Sequence, residues 1–326
     1  VSFNGTLDIT PVLKPLPVAE FIAQDTTSDL VVGVSGGIKT LSTDSQYITW
    51  FRQKSGNDKS FERTNLNQSP LPGISSVQYP DKQNFALVLR GSEVGVLDFA
   101  TPDTSSQDYT IFSSENIGPI ALSHSGIEVF YWQYNPELDK SFLVRNNPTG
   151  TKPDRYFDQA LIDQLDINKP VISWSKDDKY VLMVDEHIVL VSLVERTAKI
   201  IRYEKGISKA QLTPNNQTII ATSKSGELLT VNLLSEEDTP TPEVHDIRVL
   251  NDNFQTMDDE TIYFLNDEKQ LIEYNFARKE KIVYLIDSQL TIDDDATIAI
   301  DSANQLVYFW SKGEIFKQAL VSEQYE

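Results

Sequence analysis

The chain has no cysteine among its 326 residues, which removes disulfides, thiolate-held metals and thiol nucleophiles at once. Histidine is nearly as scarce, with His124, His187 and His245 the only copies, and neither HExxH nor any other paired spacing occurs, so the metal-binding helix of a zinc hydrolase is missing. There is no run of 18 or more apolar residues and no basic segment leading into an apolar one, so the sequence shows neither a membrane-spanning helix nor a signal peptide. Bases are outnumbered: 28 Lys and Arg stand against 48 Asp and Glu, for a formal net charge of −20. Such a surface repels a phosphate backbone, so no nucleic-acid partner is expected. The first residue is Val1 rather than Met, which fits a processed product or a trimmed chain, either of which can have lost an upstream signal or anchor; with the missing cysteine this leans toward an extracytoplasmic or cell-surface setting, with the cytoplasm as the alternative.

What is present is β-structure written repeatedly. Hydrophobic residues make up 40% and charged residues 23% of the chain, enough apolar material for a core and too much for a disordered chain. Residues 173–195 read SWSKDDKYVLMVDEHIVLVSLVE: a short strand, a polar Asp-Asp turn, an apolar strand, a tight turn and a third strand. The same grammar returns with turns around Asp44, Asp81, Ser125, Asp177, Asn215, Asp258 and Ala303, at intervals close to the roughly 40–45 residues of a propeller blade. The turns are built from Asp, Asn, Ser and Gly, which tolerate left-handed backbone or bond back to it. The strands that follow, such as YVLMV, FALVL, TIYFL and LVYFW, are continuously apolar. A strand with one wet face would alternate; these are expected to be covered on both faces.

These units resemble β-propeller repeats of the TolB/WD40-like class, in which a small residue, a Pro or charged residue, Asp or Asn and a turn former precede an apolar strand. Residues 171–184 (VISWSKDDKYVLMV) match best, and the resemblance spans about residues 29–322. The expected glycine is often replaced, and the Gly-His and Trp-Asp dipeptides of true WD40 units are absent. The resemblance implies an all-β, seven-bladed β-propeller with four-stranded antiparallel blades. The seventh unit has residues for three strands only, so the ring is expected to be closed by an N-terminal strand. Residues 29–35 (DLVVGVS) are the first candidate for that strand and residues 19–24 (AEFIAQ) the competitor. The domain reading is a proline-containing leader, 1–28, followed by a single propeller domain, 29–326; three prolines in residues 11–17 favour extended backbone in the leader.

Function is expected where the units differ. Three elaborations, 53–59 (QKSGNDK), 134–140 (YNPELDK) and 161–168 (LIDQLDIN), are assigned to one loop face, that of the second-to-third-strand loops and the unit connectors. Their polar residues Ser55, Asn57, Asp58, Asn135, Glu137, Asp139, Asp163 and Asp166 form the expected binding set, because loops on a rigid scaffold carry function. The loops of the opposite face, 101–108, 146–154 and 235–243, read as solvated. The run Asp293-Asp294-Asp295 lacks the spaced pattern of a calcium loop and reads as an acidic turn. Arg52, Arg90 and Arg145 need no role beyond salt bridges, sialidase-type SxDxGxxW boxes are missing, and the four tryptophans, Trp50, Trp132, Trp174 and Trp310, fall inside strands as core between blades. No catalytic residue, metal or cofactor is implied. The expected function is a non-catalytic binding module that engages a protein or cell-envelope component as a monomer or as part of an assembly. The alternatives are a glycosidase or lyase with paired carboxylates in the central funnel and a scaffold subunit.

Overall fold

A computed structural model describes residues 16–24, 31–32, 37–42, 44–54, 60–81, 83–99, 109–113, 116–157, 159–234 and 240–322. Its hairpins start from turn chemistry. Ser175 Oγ donates to Asp177 (2.9 Å) and accepts the backbone N–H groups of Lys179 (3.1 Å) and Tyr180 (2.9 Å), which ties off the turn before the apolar strand Tyr180–Val184 begins. Thr213 and Asn215 repeat the arrangement before Thr218–Ser223. Asp178 and Asn216 sit in left-handed backbone (φ 57° and 59°), a conformation that Asp and Asn tolerate because the short side chain bonds locally.

The strands that follow are covered on both faces: Val181, Leu182, Met183 and Val184 are all buried, as are Val307, Tyr308, Phe309 and Trp310. The described strands form six antiparallel sheets, five of four strands and one of seven. The seven-stranded sheet divides at its long strand Glu243–Thr256, whose first half pairs with Glu227–Asn232 and whose second half pairs with Thr261–Asn266. The chain thus lays down seven four-stranded units in sequence.

The core lies between units rather than within them. Ala121, Phe130 and Leu143 of the third unit pack on Trp174, Val181 and Met183 of the fourth. Leu182 and Leu190 of the fourth face Ile219 and Leu229 of the fifth. The last such cluster joins Tyr308, Trp310 and Ile315 of the seventh unit to Ile38 and Phe51 of the first. Each fully buried side chain of this kind contributes about 1.5–3 kcal/mol, so every junction is held chiefly by its apolar cluster. Trp132, Trp174 and Trp310 belong to these junctions, as expected, whereas Trp50 is half-buried with the Arg52 guanidinium 5.2 Å from its ring.

The ring closes differently from the first expectation. Glu20–Gln24, not residues 29–35, pairs with Glu314–Ala319 as the fourth strand of the seventh unit. Phe21 packs edge-to-face on Phe316 at 5.7 Å, and Glu20 meets the buried Lys317 at 3.2 Å. Val31–Val32 is instead the edge strand of the first sheet, paired with Ile38–Leu41 and packed beside Thr297–Asp301, the first strand of the seventh unit. Residues 20–24, within the stretch read from sequence as leader, thus form a strand of the seventh unit.

This moves the first unit by one strand. Ile38–Leu41 is its second strand, and the turn at Asp44 joins the second and third strands. Its place in the ring agrees: Ile74 N–H donates to Ser45 O (3.1 Å) just as Ile207 N–H donates to Glu186 O (3.1 Å), Glu186 being in the second-to-third turn of the fourth unit. Lys54 and Ser60, bonded through Lys54 N–H to Ser60 O (3.1 Å), consequently stand at the ends of the third and fourth strands of the first unit rather than of the second and third. Among the described residues no helix is long and apolar enough to cross a membrane.

Candidate functional site

Between the third and fourth units the connector is long, and it folds into a short helix, Gln159–Leu165. Its apolar side, Ile162 and Leu165, packs into the junction cluster with Trp132, Met183 and Val189. His187, buried at 3% exposure, fixes the helix end by a 2.7 Å contact between its Nε2 and Leu165 O. Burying these side chains leaves the acidic residues of the same segment on the open side. The result is a groove of about 690 Å³, walled by residues 139–141, the helix and its exit, and the tight turn 185–187. A volume of this size is in the range of ligand pockets.

Of the residues expected to bind, Asp139, Asp163 and Asp166 line this groove together. Asp139 accepts the Tyr134 hydroxyl (2.7 Å), a bond that holds the phenol pKa above its ordinary value. Asp163 faces Lys140 at 3.9 Å and Asp166 faces Arg202 at 3.8 Å, long pairs between exposed side chains. Asn135 and Glu137 belong to the hairpin tip beside the groove, where the Asn135 side chain accepts the N–H groups of Glu137 (3.0 Å) and Leu138 (3.2 Å) and so shapes the turn. Ser55, Asn57 and Asp58 lie outside the described residues.

Sequence reasoning missed Asp185, Glu186, His187, Arg202 and Trp132 as groove residues. The first three read as an ordinary tight turn; only the connector folding back over them makes them a wall. Asp185 accepts the Asn168 N–H at 3.1 Å, and Glu186 pairs with Lys224 of the fifth unit at 2.5 Å. Trp132 is 3% exposed, and its indole N–H has no acceptor among the described residues.

Elsewhere the ionisable groups are engaged in structure. Asp293 and Asp294 pair with Lys312 (3.3 Å) and Lys269 (2.8 Å), in keeping with an acidic turn. Among the described residues no group of three or more His, Asp or Glu is placed to hold a metal. Arg52 and Arg90 pair with Glu62 (3.4 Å) and Glu93 (3.2 Å), and Arg145 with Glu128. A Tyr/Glu constellation does exist: Glu273 accepts both Tyr263 and Tyr284 (2.6 Å for the latter). Burial, then the Glu273 carboxylate, pushes the Tyr284 phenol up to about 12. The three residues stand on the second, third and fourth strands of the sixth unit. A second cavity of about 600 Å³ is walled by first strands of successive units, including Gln78, Leu122, Trp174, Gln211 and Thr256, with no carboxylate among its described lining residues. Two of those amides knit the units: Gln78 donates to Ile120 O (2.9 Å) and accepts Leu122 N–H (2.7 Å), while Gln211 accepts the Thr256 hydroxyl (3.0 Å).

No family model and no curated protein matches the sequence. Among solved structures, the β-propeller domain of Cps50 (Swd1) from Myceliophteria thermophila is similar with a TM-score of 0.61 at 10% identity, covering 92% of this chain and 98% of that one. A chain in the nidogen/laminin complex is similar with a TM-score of 0.48 at 12% identity, covering 72% and 88% respectively. The fold is an all-β propeller.

Proposed function

We propose that the chain is a binding module that engages another protein through the face carrying the second-to-third-strand loops, with the groove between the third and fourth units as its centre. One observation carries this reading: the longest described connector spends its apolar side on the junction core and turns Asp163 and Asp166 toward a groove already edged by Asp139. Loop insertions are thermodynamically cheap, but this one is ordered, anchored by His187, and builds a concave wall. The carboxylates there are held by lysine, arginine and backbone N–H groups, an arrangement suited to recognition of polar partners rather than to proton transfer. Tyr134 and Leu138, exposed at 42% and 53%, add apolar contact area on the hairpin beside the groove. An extracytoplasmic setting is part of the same proposal and rests on composition, chiefly the absence of cysteine.

Charge reversal tests the face. Partners captured from the source's own extract by the wild-type chain should be lost to a Glu137→Lys, Asp139→Lys, Asp163→Lys variant. They should be retained by a Lys176→Glu variant, whose change falls on the opposite face. Capture that survives the first variant and fails with the second assigns binding to the other face.

A further inference from the structure

The cavity of about 600 Å³ is walled by the first strands of the second to sixth units and the turns that follow them. The groove plays no part in it. Sheet strands rather than loops set its shape, and its volume falls in the range of small-ligand pockets. Its lining departs from the composition of the chain. Acids number 48 in 326 residues, yet none of the described lining residues is Asp or Glu, and the two that carry ionisable groups are bases, His124 and Lys176. Both lean on Asp81, which stands outside the lining: Lys176 Nζ lies 2.5 Å and His124 Nδ1 3.3 Å from its carboxylate. An ammonium has three donors, and Asp81 takes one. Two further acids of these turns are occupied elsewhere, Asp178 by the N–H groups of His124 and Ser125 and Asp259 by that of Asn215.

Two uncharged donors in the wall are also open. Ser173 and Gln211 stand at matching places in the adjoining first strands of the fourth and fifth units, each two residues before the turn residue (Ser175, Thr213) whose N–H bonds back across the hairpin. The counterpart of Gln211 in the sixth unit, Gln255, spends both ends of its amide on the main chain of Ile300 (2.7 and 3.3 Å), and Gln78 does the same with Leu122 and Ile120. Gln211 departs from this: its Oε1 accepts the Thr256 hydroxyl, while its N–H groups donate to nothing among the described residues, and the Ser173 hydroxyl is equally unbonded there. Neither is sealed in. The buried side-chain N and O atoms that lack a partner are Trp132 Nε1, Asn216 Oδ1 and Thr222 Oγ1, so the donors of the half-buried Ser173 and Gln211 keep accessible surface. The rest of the wall is largely apolar, with Leu122, Ile172, Trp174, Leu212 and Met257. A cation would find no counter-charge in this lining, a neutral apolar molecule would leave the donors unanswered, and a hydrated inorganic anion would make no use of the apolar wall. We propose that the cavity binds a small carboxylic acid as its anion, the carboxylate accepting hydrogen bonds from Lys176, Ser173 and Gln211 and an apolar body lying against Leu122, Trp174 and Met257. The site is separate from the protein-binding face, so either can fail without the other.

The test uses the full chain and three probes that share one body and differ in the head group: hydrocinnamate, the corresponding alcohol and the corresponding amine. Binding is followed by calorimetry and by the indole N–H resonances of the four tryptophans. Hydrocinnamate should saturate one site, shift the Trp174 resonance and bind about tenfold tighter than the alcohol, with the amine weakest. Lys176→Met, at an exposed side chain, should weaken hydrocinnamate about tenfold and change the alcohol by less than about twofold. Gln211→Leu should act in the same direction. Lys312→Met removes the same charge outside the lining and likewise frees a carboxylate, that of Asp293, so it should leave hydrocinnamate within about twofold. Should Gln211→Leu fail to fold, the Lys176→Met comparison and the wild-type Trp174 shift decide.

Equal loss with Lys176→Met and Lys312→Met would reduce the effect to bulk charge and overturn the proposal. Equal affinity for the three probes would overturn it in favour of an apolar cavity that does not select charge, and tightest binding of the amine would refute the anionic chemistry. Hydrocinnamate that binds without moving the Trp174 resonance would place its site elsewhere. No binding by any probe up to about 10 mM would also refute the proposal.

Discussion

At the residue scale, the Asp177-Asp178 pair shows how one turn serves two purposes. Asp177 closes its own hairpin. Partial burial works to raise its carboxyl pKa, but Lys179, Asn216 and the Ser175 hydroxyl outweigh that and bring it down to about 2, below the ordinary 3.8. A carboxyl depressed in the fold stabilises the folded state fully above its unfolded value, and that contribution disappears as pH falls through the folded value. Stability should therefore fall between about pH 4 and 2, and Asp177→Asn should flatten that part of a urea-unfolding profile taken against pH. Asp178 reaches across to the third unit instead, accepting the N–H groups of His124 (2.8 Å) and Ser125 (2.9 Å), as Asp259 accepts that of Asn215 (2.7 Å). Two charge-assisted bonds are lost in Asp178→Ala, which should cost about 2 kcal/mol in equilibrium unfolding, while Asp178→Asn, still able to accept and tolerant of φ 57°, should cost less than half of that.

At the scale of elements, the seal of the ring is a five-residue strand, Glu20–Gln24, laid on the outer edge of the seventh unit. A chain starting at residue 25 should lose amide-exchange protection in Glu314–Ala319, whose outer edge it exposes, and keep it in Tyr180–Val184 of the fourth unit. Equal loss in both strands would mean that the strand supports the whole fold rather than the seam. The same region marks the limit of what the sequence discloses. The hairpin grammar was legible because hydroxyl, carboxylate and left-handed residue recur in fixed order, and it recurs at Ser42 and Asp44 too, where Ser42 Oγ donates to Asp44 (2.6 Å) and accepts Tyr47 N–H (2.8 Å). That turn, however, joins second and third strands, and its local chemistry is the same wherever it stands in a blade. Which strands make up the first unit is settled by long-range contacts, Ile74 to Ser45 at its junction with the second unit and Glu20 to Lys317, which assigns Glu20–Gln24 to the seventh, and no local pattern encodes these. The groove was half legible for a similar reason: Asp139, Asp163 and Asp166 stand out as polar insertions, whereas Asp185, Glu186 and Trp132 join them only through the fold.

At the scale of the molecule, seven apolar junctions bind a strongly acidic surface into a ring. A net charge of −20 repels itself, so raising salt from about 0.01 to 0.5 M, which shortens the screening length from roughly 30 Å to under 10 Å, should raise the melting temperature by a few degrees. The central claim is that partners meet the groove face. Hydrogen exchange of the full chain, free and with its captured partner, tests it most directly. The account predicts slowed exchange in residues 134–140 and 159–168, with the turns at 175–180 and 213–218 unchanged. Slowed exchange at those turns, with the groove segments unchanged, would contradict it.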